Sequence, residues 1–306
     1  MAPKIYFIIV TYNAMKWTEK CFSSLRKSSV PVEVIVVDNG STDGTQDFLK
    51  NNFPDVEIHQ SGENLGFGKA NNLGIEMAHK KGADFFYLMN QDAWIFENSV
   101  EKLLKVYQNL PKKEEIGILS PMHLDGTEQH LDLFLDKYIS HNFQNRMISD
   151  LYFRTPKSSY EISFINAAHW FLPRNTIEKV GGFNPYFFHY GEDNEYVNRL
   201  HFHGKKIFLC PESKVVHDGK QNLEKVDYTT FKDLSLETKI LDPAYKSGLT
   251  KELQSLKLSR AKHFFTGNFS HAKELDLKYK KIKLESSELE NLKQKVSQLG
   301  STFLNL

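Results

Sequence analysis

The stretch Phe85-Phe86-Tyr87-Leu88-Met89-Asn90-Gln91-Asp92-Ala93-Trp94-Ile95 decides the fold. Five apolar residues make a short run that reads as a fully buried strand, with residues 84–89 as its span. The run ends abruptly in amides and a carboxylate, polar groups placed where a strand meets solvent. Working outward, the same grammar recurs upstream. Ile5–Val10 is a β-rich run that ends in Thr11-Tyr12-Asn13, and "VEVIVVD" ends at Asp38 before the turn "NGSTDGT". "VEIHQ" reads as a third strand. Between these runs, residues 14–28 have helical composition, with Trp17, Cys21, Phe22 and Leu25 on one face. Thr45–Asn52 reads as a second helix, and "GENLGFGKANNLGIEMAHKKG" as a glycine-led third. Continuous apolar strands alternating with helices predict a parallel sheet covered on both faces. Ligands of such sheets sit beyond the carboxyl ends of the strands. Asn13, Asp38 and Asp92 are therefore expected along one edge, although turns after strands recruit Asn and Asp for their own reasons.

Composition excludes several classes. The chain has 306 residues, a net charge of +1, 40% apolar and 25% charged residues. That is enough for a sizeable core, and nothing global draws the chain to nucleic acid. Cys21 and Cys210 stand far apart without CxxC or histidine neighbours, which implies a reducing compartment and no zinc site. The apolar run near the N-terminus is too short to span a membrane and has no signal-cleavage pattern, so a soluble cytoplasmic protein is expected.

The ordered motifs "IIVTYN", "VIVVDNGSTDGT", "NLGFGKANNLGI", "YLMNQDAWI" and "NAAHWFLPRNTIEKVGGFNPYFFHYGEDNEYVNRL" through "VVHDGK" resemble the family 2 inverting glycosyltransferases, particularly their bacterial rhamnosyltransferase-like branch. The resemblance covers roughly residues 3–220. It implies a GT-A fold, a Rossmann-like mostly parallel sheet flanked by helices. The implied division is a glycosyltransferase domain at 1–225, with a nucleotide-binding half at 1–100 and an acceptor-binding half at 101–225. It implies a nucleotide-diphosphate-sugar donor, UDP- or dTDP-linked, and a saccharide or lipid-linked saccharide acceptor.

Residue roles follow the same resemblance. Thr11, Asn13, Asp38, Asn64, Gly68, Asn71, Asn90 and Gln91 fall on nucleotide-sugar-binding positions, with Lys69 either touching phosphate or simply solvated. The family's Asp-x-Asp reads Asn90-Gln91-Asp92 here, so Asp92 alone supplies charge, with His217 as a second ligand for Mg²⁺ or Mn²⁺. Asp193 matches the catalytic base. Adjacent helical residues point about 100° apart, which leaves Glu192 as an acceptor contact. Trp170 and His169 fall near the donor sugar, Trp170 as a stacking platform contacting the acceptor or simply as core, and Arg199 is a structural pair or a phosphate contact. A non-catalytic sugar-binding relative and a sugar nucleotidyltransferase are the competing classes. "VTYNAMKW" is not the glycine-rich basic loop that a nucleotidyltransferase needs.

Residues 226–306 read as a helical extension. From Lys246 to Leu306 there are 12 basic and 6 acidic residues. Leu275, Ile282, Leu289 and Val296 recur every seven residues, with Leu292 and Leu299 three beyond the last two, and "TGNFSH" breaks the helix before them. Three roles are open for that stripe: packing on the catalytic domain, self-association, or contact with the inner face of an anionic membrane.

Overall fold

The computed structural model describes residues 2–140, 143–219 and 228–306, side chains of 143 and 228–233 excepted. The first half follows the sequence closely. Strands β1 (Ile5–Thr11), β2 (Glu33–Asp38), β3 (Glu57–Gln60) and β4 (Phe85–Asn90) alternate with helices α1 (Met15–Arg26), α2 (Thr45–Asn52) and α3 (Phe67–Lys80). All the pairings among β1 to β4 are parallel. Thr11 lies opposite Asp38, and Asp38 opposite Gln60, so the strand exits are in register. The expected common edge is therefore real.

Beyond β4 the sheet continues in mixed sense. β5 (Ala93–Ile95), α4 (Ser99–Asn109) and β6 (Ile116–Leu124) are followed by an excursion containing α5 (Leu133–Ser140) and α6 (Met147–Tyr152). Then come β7 (Tyr160–Ile162), β8 (His169–Pro173), α7 (Arg174–Val180), α8 (Glu192–Phe202) and β9 (Lys206–His217). The order is β3-β2-β1-β4-β8-β6-β9-β5, with β7 also on β9. β8 runs antiparallel to both β4 and β6, while β6 and β9 are parallel. One sheet thus runs through both expected halves.

Side-chain alternation assigns the faces. Ile8, Ile35, Phe86 and Leu88 pack with Ala70, Ile75 and Ala78 of α3 and Tyr196 and Leu200 of α8. Phe7, Ile9, Val36 and Met89 pack on the opposite face with Cys21, Phe22 and Leu25 of α1 and Leu103 of α4. Helix α3 lies so close to β1 that a Cβ at position 74 would meet Ile8 Cγ2 at 2.5 Å, which only Gly74 avoids. Trp17 is half-buried at the margin of its helix face.

The C-terminal part is α9 (Tyr228–Leu241), α10 (Gly248–Phe265), α11 (Phe269–Leu284) and α12 (Ser286–Val296). The expected boundary at 225/226 lies outside the described residues. The heptad stripe is split between two helices that meet at Glu285. Ile282, Leu289 and Val296 are buried, Leu275 and Leu292 half-buried, and Leu299 exposed. Ile282 and Leu289 share a cluster with Phe187, Ile240, Leu241 and Leu249. Tyr186 Oη donates to Glu285 Oε2 at 2.7 Å. The stripe packs on its own chain, against the loop that leads into α8.

Candidate active site

Two groups of polar side chains occupy the sheet edge, and they differ in how their atoms are satisfied. The first surrounds Asp38, which is completely buried at the end of β2. Its Oδ1 accepts from Thr11 Oγ1 at 2.8 Å and Ser41 Oγ at 2.6 Å. Its Oδ2 accepts from the backbone N–H groups of Gly40 at 3.2 Å and Ser41 at 2.9 Å, and from Gln46 Nε2 at 2.5 Å. With five donors on one carboxylate, Asp38 holds the 39–46 loop and has little left for a ligand. Asn13, at φ 51, accepts from Thr42 N at 2.9 Å and braces the same loop. Asp43 sits beside them. Burial works to raise its carboxyl, but hydrogen bonds from Thr45 and the Met15 N–H outweigh that and hold it low.

Several expected nucleotide contacts prove to be similarly engaged. Gln91 Oε1 accepts from Tyr12 N at 2.7 Å, tying the exits of β4 and β1 together. Asn64 Oδ1 accepts from Gly66 N at 2.9 Å. Gly66, at φ +79, lets this loop pass Phe188, whose carbonyl would lie 2.3 Å from a Cβ there. Gly68 is pressed against Phe183, and Asn71 Nδ2 donates back to Phe67 O at 3.0 Å. Lys69 is exposed.

The second group contains two buried oxygens without hydrogen-bond partners, Asn90 Oδ1 and Glu192 Oε2. Ala93 of β5 pairs with His217 of β9, which puts Asp92 beside the imidazole. His217 Nε2 is 3.7 Å from Asp92 Oδ1 and 3.4 Å from Asn90 Nδ2. On its other side, His217 Nδ1 is 3.2 Å from Oδ2 of the fully buried Asp132. A carboxylate 3.2 Å from Nδ1 orients the ring so that Nε2 faces Asp92 and Asn90, the arrangement common behind metal-bound histidines. Burial would lower the His217 pKa, yet Asp132, Asp92 and Asp218 outweigh it and raise it. Asn90 Oδ1 is buried without a hydrogen-bond partner.

Helix α8 supplies the other half of this group. Gly191, at φ +88, turns the chain so that Glu192 and Asp193 form the helix's first turn. Asp193 accepts from the Asn194 backbone N–H at 2.7 Å and its amide at 2.9 Å. Burial raises its carboxyl, tempered by those bonds and by the nearby Ala167 backbone. Glu192 is 6% exposed, and its Oε2 has no partner. Burial first, and the adjacent Asp193 second, push the Glu192 carboxyl up to about 8. Ala167 and Ala168 join the two parts. Ala168 O accepts from Asn90 N at 3.1 Å, and the backbone of the preceding residue, Ala167, lies near enough to Asp193 to lower its carboxyl. Consecutive residues thus border both the Asn90 end of β4 and the start of α8.

For three further residues the structure decides between readings. Trp170 is fully buried, stacked on Phe183 with centroids 5.7 Å apart and tilted on Tyr196, so it belongs to the core and offers no acceptor surface. His169 is equally buried, bonded to Tyr87 Oη and Val216 O at 3.1 Å each. Arg199 is structural: buried, paired with Glu195 at 3.1 Å, and donating to the carbonyls of Val180 and Gly182. Asp132 and Asn72 were missed. Asn72 exchanges hydrogen bonds with the Phe183 backbone at 2.7 and 2.8 Å, locking α3 to the segment before α8. Both act on partners about a hundred positions away, which no local pattern records.

Among the described residues no three His, Cys, Asp or Glu side chains gather closely enough to hold a metal by themselves. The donor set nonetheless suits a divalent cation that also receives ligand oxygens. Asp92 offers a carboxylate, Asn90 an unpartnered amide oxygen and His217 an oriented nitrogen.

Comparison with known proteins gives the family. Residues 6–157 match the family model described as "Glycosyl transferase family 2". The chain is 27% identical over 239 residues to the N-acetylglucosaminyl-diphospho-decaprenol L-rhamnosyltransferase of Mycobacterium tuberculosis, covering 71% of this chain and 76% of the relative. It is 29% identical over 222 residues to the dTDP-rhamnosyl transferase RfbF of Shigella flexneri, covering 71% and 70%. Among solved structures, S. aureus TarS 1-349 superposes with a TM-score of 0.54 at 16% identity, covering 79% of this chain and 65% of that one. The mannosyltransferase PcManGT from Pyrobaculum calidifontis, in complex with GDP-Man and Mn²⁺, gives 0.53 at 17%, covering 78% and 63%. The chain spans just under two thirds of the length of these two solved chains, and at such identities they share its fold alone.

Proposed function

Because this chain carries a glycosyl transferase family 2 domain, we propose that it moves a sugar from a UDP- or dTDP-linked donor to an acceptor hydroxyl with inversion at the anomeric carbon. The two rhamnosyltransferase relatives favour a rhamnosyl-type donor and, from the decaprenol-linked substrate in one name, a lipid-linked saccharide acceptor. Synthesis of a bacterial polysaccharide or glycoconjugate at the cytoplasmic face of a membrane accommodates both. The observation that supports this reading is a pair of buried side-chain oxygens without hydrogen-bond partners, Asn90 Oδ1 at the end of β4 and Glu192 Oε2 beside Asp193.

The chemistry divides between the two sets. The acceptor oxygen bonds the anomeric carbon as the bond from that carbon to the phosphate oxygen breaks, and the acceptor's proton goes to Asp193. A raised carboxyl is a better proton acceptor than an ordinary one at neutral pH. Glu192, still protonated near neutrality, presents a neutral hydrogen-bond donor and adds no second negative charge. Asp92, Asn90 and His217 would hold Mg²⁺ or Mn²⁺, with Asp132 orienting the imidazole from behind. When bound, that cation supplies charge neutralisation for the departing diphosphate. The 39–46 loop and the glycine loop at 62–68 form the floor on which the nucleotide lies, residues 101–225 contributing the acceptor side.

Donor turnover across a panel of UDP- and dTDP-sugars, with manganese and with chelator, tests the proposal. Metal-stimulated release of nucleotide diphosphate from at least one donor is expected. No turnover of any member, with or without a saccharide acceptor, would reject it.

A further inference from the structure

Burying the heptad stripe leaves a different apolar surface on the C-terminal helices. At the turn between α10 and α11, Phe264, Phe265 and Phe269 are 57%, 86% and 62% exposed. Phe264 lies edge-on to both of the others, at 6.0 and 5.4 Å, so the three rings form one continuous cap. Leu258 continues it along α10. Large aromatic side chains clustered in water mark a surface that meets something.

Charge identifies the occupant. The hairpin from Gly248 to Leu284 carries nine Lys or Arg and three Asp or Glu. Those acids are already engaged: Glu252 with Lys239, Asp276 with Arg260 and Lys280, and Glu274 with His271. Lys273, beside the three rings, and Lys262, in the last turn of α10, are exposed, as is Lys257 farther along α10. A second copy of this chain would bring the same basic surface against itself, and like charges facing one another oppose association. An anionic lipid surface is complementary in both respects, since aromatic rings settle at the headgroup boundary and lysines reach phosphate oxygens. No helix among the described residues is long and apolar enough to cross a membrane, so the contact is interfacial.

We propose that the α10–α11 hairpin tip is a peripheral membrane anchor, seating Phe264, Phe265 and Phe269 in the interface of an anionic bilayer with Lys257, Lys262 and Lys273 on its headgroups. It stands independently of the transfer reaction, which uses none of these residues. The α11–α12 junction meets the loop before α8, so the anchor and the catalytic pair are parts of one packed body.

The test is co-sedimentation of the full chain with vesicles of equal parts phosphatidylglycerol and phosphatidylcholine, and with phosphatidylcholine alone, at low and high salt. Binding to the anionic vesicles alone, weakened by salt, is expected. The triple variant Phe264→Ser, Phe265→Ser, Phe269→Ser should lose it, and Lys262→Glu with Lys273→Glu should weaken it by roughly tenfold or more. All five changes are on exposed side chains, and unchanged thermal melting and unchanged donor turnover would show that the fold and site persist. An intact chain that ignores anionic vesicles, or variants that bind as well as wild type, would overturn the proposal. So would an intact chain that is dimeric by light scattering and becomes monomeric in the phenylalanine variant, since the cap would then belong to a second copy.

Discussion

Asp38 and Glu192 are both buried acids at the edge of one sheet, and they live in opposite circumstances. Asp38 receives five hydrogen bonds from its own loop. Glu192 has an oxygen with none and keeps its proton up to about 8. A saturated carboxylate has its interactions already made and serves the scaffold. An unsatisfied one is costly in the folded chain and is retained where a ligand or a proton completes it. By this standard Asp38 serves the scaffold, while Asn90 Oδ1 and Glu192 Oε2 are the atoms left for a ligand or a proton to complete.

The sharpest break in that contrast is Asp193→Asn. It should lower transfer by roughly 10²–10⁴-fold while donor affinity holds, the span expected for a positioned general base. Single-turnover rates alongside donor titration check it, and near wild-type transfer would remove Asp193 from the mechanism. Asp38→Ala attacks the other side. It strands buried donors and should cost roughly 2–4 kcal/mol of stability in denaturant unfolding. A variant as stable as wild type with weakened nucleotide binding would mean that Asp38 serves the ligand after all.

The last effect is a slope, read per pH unit. Glu192 is raised from 4.5 to about 8 on folding, so the folded chain holds a proton that the unfolded chain has released. Its contribution to stability is complete below the unfolded value and is lost as pH rises toward 8, at about 1.4 kcal/mol per pH unit for one group. Glu192→Gln should flatten that part of the stability profile between pH 5 and 8. Parallel profiles for variant and wild type would show that Glu192 is not held protonated.

The strand exits were legible because β-branched runs that stop in Asn, Asp or Gly state both the strand and its end. Asp92 and Asp193 could be singled out on that ground together with the ordered motifs. Satisfaction was not legible: nothing local says that Asp38 is encircled or that Glu192 is not. Trp170 looked like a platform because an aromatic near a cleft reads the same whether it points out or in, and the partners that bury it, Phe183 and Tyr196, come from later segments. The heptad repeat was real, but period alone does not show that the helix breaks at Glu285, or that the stripe faces Phe187.

Calorimetric titration of UDP and dTDP into wild type and Asp92→Ala, each with manganese and with chelator, addresses the central claim most directly: the under-satisfied cluster, and not the Asp38 loop, governs the diphosphate. The account predicts wild-type binding that tightens with manganese and an Asp92→Ala variant that binds alike in both conditions, at the weaker level. A variant that retains the full manganese response, or that loses affinity equally with metal and with chelator, would contradict it.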